Sequence, residues 1–140
     1  MSDAMIANSY RRPPPPGSPL ETTAWGLTEM AIRMNDARRS DQNTMLDTVR
    51  LNWRLWTIIQ AEVLDPQCMV PEPIRGNMVA LAAFVDKHTL DIIALPDSGK
   101  LDVLIHINRQ LAMGLHENAK VGAPPSEAPT APTSGVSFSA

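Results

Sequence analysis

The sequence predicts an all-α fold: a small four-helix bundle-like domain with disordered N- and C-terminal tails. Apolar residues recur every three or four positions in several long segments, which is typical of amphipathic helices. No segment of comparable length alternates between apolar and polar residues as a half-buried strand does. Proline, glycine and serine separate the periodic segments and fill both ends of the chain, so we expect loops between the helices and tails outside them.

The chain divides into one helical domain and two tails. Residues 1–17 and 117–140 lack apolar periodicity, and nearly all of the 13 prolines lie in these two segments or between the predicted helices. Segments of this composition bury too little apolar surface to fold, so we predict that both tails are disordered. The remaining segment, 18–116, has enough apolar residues for one modest core.

The first two helices are predicted from their starts and their apolar stripes. The first should begin at the capping box Ser18-Pro19-Leu20-Glu21, with proline at the first helical position, and run to about residue 39. The second, capped by Ser40 or Asp41, should run from 41 to 64 and end before Asp65-Pro66.

The last two helices are predicted in the same way. The third should begin near Pro73 and run to residue 95, before a turn with the composition Pro-Asp-Ser-Gly at 96–99. The fourth should run from about 100 to 115, because the apolar pattern fades beyond His116. Short connections favour antiparallel neighbours, so an up-down topology is expected.

One polar residue interrupts the apolar stripe of each of the last three helices. Asn52, His88 and Asn108 occupy positions that should face the core. Because a buried amide or imidazole needs a hydrogen-bond partner, we expect the three stripes to meet. These side chains either satisfy one another or nearby carbonyls and fix the helix register, or they contact a partner directly.

Composition and charge narrow the classes of function. The formal net charge is −3, and no run of Lys or Arg exceeds two residues, which argues against a large phosphate-binding surface. The single cysteine excludes an intramolecular disulfide. No apolar run approaches the ~20 residues of a membrane span, and no hydrophobic segment follows Arg11-Arg12. We therefore expect no signal peptide and a cytoplasmic protein.

No group of residues predicts catalysis or a cofactor. The candidate soft metal ligands are His88, His106, His116 and Cys68, and their spacing matches no zinc motif. The sequence contains no glycine-rich phosphate loop, and no histidine lies near Cys68 along the chain. We therefore predict no enzymatic activity, no cofactor, no metal and no small-molecule substrate.

Methionine and tryptophan on the first helix predict a surface for a partner. Eight methionines among 140 residues is a high number, and methionine makes adaptable binding surfaces as well as filling cores. Trp25 lies beside the apolar stripe of this helix, near Met30 and Met34. The helix carries no interior polar residue and follows four prolines. We expect it to be the most loosely attached of the four, with these three residues lining an apolar groove.

Several short motifs occur in a recognisable order along the predicted helices. They are Asn52-x-x-Leu55-Trp56, Pro71-x-x-Ile74-Arg75, Leu81-x-x-Phe84-Val85-x-x-His88-Thr89 and Leu104-Ile105-x-Ile107-Asn108-Arg109-x-Leu111-x-Met113-Gly114-Leu115. In this order they resemble the FlaF family of small flagellar biosynthesis proteins, over about residues 10–116. The chain departs from the family at Phe84, where tryptophan is usual, and at Ala112, where a larger apolar residue is usual.

The resemblance implies a cytoplasmic, all-helical protein that supports flagellin production and export in flagellated bacteria. In one mechanism it is a secretion chaperone that binds flagellin. In the other it regulates flagellin translation, alone or with its antagonist FlbT. An acidic chain without basic clusters suits RNA binding poorly. We therefore expect the chaperone mechanism, with a terminal helical segment of flagellin bound at Trp25, Met30 and Met34.

Overall fold

The computed structural model describes residues 19–68 and 70–122, with the side chains of 120–122 left out of the description. Within these ranges the chain forms four α-helices and one short 3-10 helix, and no strand. The predicted all-α fold class is therefore confirmed. The predicted N-terminal tail, the capping residue Ser18 and residues 123–140 lie outside the described residues.

The helices follow the predicted order and lie close to the predicted positions. They are α1 (Pro19–Ala37), α2 (Gln42–Val63), α3 (Glu72–Ala94) and α4 (Leu101–Gly122), with the 3-10 helix at Ser98–Lys100 directly before α4. α1 ends earlier than predicted because the chain turns after Ala37. The turn is closed by backbone hydrogen bonds from Arg39 to the Asp36 carbonyl at 3.2 Å and from Ser40 to the Ala37 carbonyl at 3.0 Å.

The prediction that the fourth helix ends at residue 115 was wrong. α4 continues to Gly122, into the segment that composition assigns to the tail. Glu117 and Ala119 are good helix formers, and the Asn118 side chain donates to the Gly114 carbonyl at 3.0 Å. Local propensity therefore carries the helix beyond its apolar stripe, and it ends at a glycine, two residues before Pro124 in the sequence.

α1 is packed more extensively than the sequence predicted. It lies antiparallel to α4, since Glu21 near its start pairs with His116 at 3.0 Å and Arg38 just past its end pairs with Asp102 near the start of α4. Its contacts with α4 are the most extensive of any helix pair, and it also packs on α2. The prediction that this helix is the most loosely attached was therefore wrong.

A single apolar cluster joins all four helices. The largest apolar side chains that are fully buried in it are Trp56, Leu27, Met34, Ile59, Met78, Ile92, Leu101, Leu104, Leu115, Val49 and Val85. Among the described residues, three polar ones are buried with them, Asn52, Thr89 and Asn108. Each helix contributes buried apolar residues at helical spacing, so burial of one side of each helix holds the fold together.

Candidate partner-binding groove

An open groove lies between α3 and α4. α3 packs mainly on α2 and α4 mainly on α1, and α3 and α4 make few contacts with each other. The turn at 95–100 therefore joins two neighbouring helices that leave a space between them. This space has a volume of about 320 Å³, within the ~300–1,000 Å³ range of ligand-binding clefts.

The lining of the groove is mostly apolar. Its residues are Ile74, Asn77 and Leu81 on α3 and His106, Ile107, Gln110, Leu111 and Gly114 on α4. On α3 they step by three or four positions, so they lie on one side of the helix. The α3 residues Ile74 and Leu81 and the α4 residue Ile107 pack partly against the core and stay half-buried. The groove walls are thus apolar side chains that the bundle covers on one side only.

Gly114 leaves a gap in the part of the groove lining that α4 supplies. A β-carbon placed on Gly114 would have no neighbouring atom within 4 Å, so no contact within the fold requires glycine there. Glycine in a helix interior costs about 1 kcal/mol relative to alanine. Because α4 continues to Gly122, Gly114 is not a frayed helix end. The missing side chain leaves room for another backbone to approach α4.

Phe84 and His88 continue the same side of α3 beyond Leu81. Phe84 is 40% exposed, and its ring stacks on the His88 imidazole with centroids 5.2 Å apart and planes at 15°. His88 Nε2 lies 2.8 Å from the Lys100 carbonyl oxygen. A carbonyl only accepts hydrogen bonds, so Nε2 carries a hydrogen and donates. His88 thereby ties α3 to the turn that leads into α4.

The prediction that His88 faces the core was wrong. His88 is half-buried, whereas the next residue, Thr89, is fully buried. Adjacent helical residues differ by about 100° in direction, so a small error in the assumed stripe exchanges one for the other. The Thr89 hydroxyl has no hydrogen-bond partner in the described part of the chain.

Asn52 and Asn108 form a buried hydrogen-bond network. Asn108 Nδ2 donates to Asn52 Oδ1 at 2.8 Å and to the Leu27 carbonyl at 3.3 Å. Asn108 Oδ1 accepts from Trp56 Nε1 at 3.0 Å. The network joins α4 to α2 and α1, as expected if these residues fix helix register. None of its members lines the groove.

The structure does not expose the methionines predicted to bind flagellin. Met34 is 0% and Met30 8% exposed, because α1 packs on both α2 and α4. The prediction of an apolar surface at these two residues was therefore wrong. Trp25 is half-buried, and its indole N–H is buried with no hydrogen-bond partner in the described ranges. A role for Trp25 in binding a partner stays a prediction.

The remaining motif residues take several positions. Leu55 is half-buried and packs against α1 at Gly26, where a β-carbon would lie 3.6 Å from Leu55 Cδ1. Arg75 lies 3.6 Å from the Glu72 carboxylate, one helical turn away. Arg109 is exposed. Five residues of the quoted motifs line the groove, and they are Ile74, Leu81, Ile107, Leu111 and Gly114.

Sequence reasoning treated three of the eight groove residues as ordinary core positions. Ile74, Leu81 and Leu111 belong to the predicted stripes. One indication of a second surface is present in the sequence, since Val103, Ile107 and Gly114 repeat at helical spacing just outside the stripe of α4. This widens the apolar face of α4, but it does not show whether another helix covers the extra width.

The described residues contain neither a metal-binding cluster nor a candidate membrane span. No group of three or more His, Cys, Asp or Glu side chains there is arranged to hold a metal ion. None of the helices in the same ranges combines the length and the hydropathy that crossing a lipid bilayer requires.

The fold and the groove define a small all-helical protein with an open apolar groove on one side of its bundle. A family model described as flagellar protein FlaF matches residues 8–115 of the chain. No curated protein matches it, and no solved structure matches it. The matched segment covers most of the 140 residues, so the chain belongs to the FlaF family of flagellar proteins.

Proposed function

We propose that this protein is a flagellin-binding secretion chaperone that holds an amphipathic helix of unassembled flagellin between α3 and α4. The groove itself is the observation that carries the proposal. Helix-in-groove recognition uses apolar anchors that repeat at helical spacing and enter an apolar cleft. Ile74, Leu81, Ile107 and Leu111 supply such a cleft. A flagellar protein with this surface suits the covering of a filament subunit before export.

The exposed residues near the groove support the same function. Phe84, one helical turn beyond Leu81 on α3, is 40% exposed, and Met113, next to Gly114 on α4, is 60% exposed. Aromatic residues and methionine are enriched at protein interfaces, and large apolar side chains grouped beside a cleft mark interaction sites. A bound helix would cover part of this surface as well as the groove.

The charge distribution favours a protein partner over direct RNA binding. Four arginines lie near carboxylates, in the pairs Arg33–Glu29 at 3.0 Å, Arg38–Asp102, Arg50–Asp47 at 3.7 Å and Arg75–Glu72 at 3.6 Å. Carboxylates beside the arginines reduce the positive potential that phosphate binding needs. The alternative function, regulation of flagellin translation with FlbT, is consistent with this distribution if FlbT supplies the RNA contacts.

Isothermal titration of the full chain with monomeric flagellin tests the proposal. We expect direct binding, weakened about tenfold or more in Gly114→Leu, because the added side chain fills the groove. Gly76→Leu is the matched control. Gly76 is also helical and a β-carbon there also meets nothing within 4 Å, but Gly76 does not line the groove. The affinity of Gly76→Leu for flagellin should equal that of the wild type.

The opposite results have distinct meanings. Absence of flagellin binding by the folded wild-type chain would overturn the chaperone function. Recovery of flagellin mRNA together with FlbT in its place would favour translational regulation. Equal affinity of Gly114→Leu and Gly76→Leu would leave the function standing and remove the groove as its site.

A further inference from the structure

The lining of the groove contains no formally charged side chain. The chain has 12 Lys and Arg and 15 Asp and Glu residues, yet none of them lines the groove. Its three polar side chains, Asn77, His106 and Gln110, are two amides and an imidazole. The formal charges along these stretches lie outside the lining, at Arg75 beside Ile74 on α3 and at Arg109 beside Gln110 on α4.

A charged side chain entering this lining would lose water without gaining an opposite charge. Burying an unpaired charge is strongly unfavourable, whereas a hydrogen-bonded amide or hydroxyl is tolerated. The amides of Asn77 and Gln110 each offer both donors and an acceptor, and imidazole offers one of each when neutral. Asn, Gln, Ser and Thr on a bound helix therefore match these groups.

The length of the groove also limits its occupant. Ile74 and Leu81 mark the ends of the α3 lining, seven residues apart, and His106 and Gly114 mark the ends of the α4 lining, eight residues apart. Seven residues of helix span about 10.5 Å, or two turns. Two turns hold anchors at positions i, i+3 or i+4, and i+7 of a bound helix.

We infer that the groove selects a two-turn helical segment with three apolar anchors and uncharged amide or hydroxyl side chains on both flanks. This rests on the proposed function and names the chemistry of the segment recognised at the same site. The segment should carry a small residue where it crosses Gly114, because backbone approach is closest there. Its binding should depend little on salt, since no ion pair forms.

Three synthetic helical peptides test the inference. All carry leucine at i, i+4 and i+7, and their flanks are Asn, Gln and Ser in one, Glu in the second and Lys in the third. Fluorescence anisotropy with the full chain should give binding about tenfold tighter for the neutral peptide than for either charged one. The affinity of the neutral peptide should change less than about twofold between ~0.05 and ~0.5 M salt, over which screening increases strongly.

Introducing a charge at Gln110 tests whether the preference for uncharged flanks arises at the groove. Gln110→Lys should strengthen binding of the Glu-flanked peptide, and Gln110→Glu should strengthen binding of the Lys-flanked peptide, each by about threefold or more. Gln67→Lys and Gln67→Glu are controls of equal charge at an exposed loop residue, and they should leave the affinities of the three peptides in the same order. Equal affinities for all three peptides, or no response at Gln110, would overturn the inference.

The two proposals fail in distinguishable ways. If the neutral peptide binds as expected and monomeric flagellin does not, the groove chemistry stands and the chaperone function falls. If flagellin binds and Gly114→Leu blocks it, but a charged peptide binds as well as the neutral one, the function stands and the stated selectivity falls.

Discussion

The Asn108 side chain donates a hydrogen bond to the Asn52 side chain at 2.8 Å and joins α4 to α2 inside the core. Both residues are 0% exposed. The same Asn108 amide also accepts from Trp56 and donates to the Leu27 carbonyl. A single residue therefore satisfies buried polar groups on two other helices, which links helix register to core packing.

Asn108→Ala should destabilise the fold by about 1–3 kcal/mol, because it leaves the buried Trp56 N–H and the Asn52 carbonyl oxygen without partners. Urea unfolding followed by circular dichroism measures the change. Asn43→Ala is the control, since Asn43 is exposed and surface substitutions usually change stability by less than about 0.5 kcal/mol. An unchanged midpoint for Asn108→Ala would show that the network does not stabilise the fold.

Substitution at Trp25 separates the two candidate binding sites. Trp25→Ala should lower stability, because this side chain is half-buried, but it should leave flagellin affinity within about twofold, because Trp25 does not line the groove. An α1 site instead requires a loss of about 1–2 kcal/mol in binding, as for an aromatic anchor. Titration of the folded mutant at a temperature well below its unfolding decides between them.

Trp25→Phe should leave stability unchanged or raise it slightly. The indole N–H is buried without a hydrogen-bond partner among the described residues, and such a group carries a desolvation penalty that phenylalanine removes. Thermal unfolding measures the difference. A loss of more than about 1 kcal/mol, beyond what the smaller ring explains, would indicate that this N–H has a partner in solution.

Gly26→Ala should stabilise the protein by about 0.5–1 kcal/mol. Alanine is a better helix former than glycine, and the added β-carbon would lie 3.6 Å from Leu55 Cδ1, an ordinary van der Waals distance. Gly76→Ala gains the same propensity with no new contact within 4 Å. The difference between the two urea midpoints thus reports the contact with Leu55, and destabilisation by Gly26→Ala alone would mean that α1 and α2 are closer than described.

Thr44→Ala should raise the pKa of Asp41 toward 3.8. The Thr44 hydroxyl donates to the Asp41 carboxylate at 2.6 Å and holds the pKa of that carboxyl below its ordinary value of 3.8. A carboxyl whose pKa is lower in the folded state than in the unfolded state stabilises the fold at pH values above its unfolded pKa. This contribution is lost as pH falls through the lower, folded value. An NMR titration of the Asp41 carboxyl measures its pKa in the wild type and in Thr44→Ala, with Thr57→Ala as the control.

The sequence by itself determined the helices and their inner faces. Apolar spacing and proline positions predicted α2 and α3 to within a residue at each end, because these patterns act locally. It also identified Asn52 and Asn108 as polar residues of the core. It could not predict the end of α4, where helix propensity continues after the apolar stripe has ended.

Only the tertiary structure decided which helices touch. Met34 and Ile107 are both apolar residues of helical segments, yet Met34 on α1 is completely buried while Ile107 on α4 remains at an open edge. The periodicity of one helix shows the direction in which its side chains point and not what covers them. The groove exists because α4 packs on α1 and α3 packs on α2, and that choice depends on contacts between residues far apart in the chain.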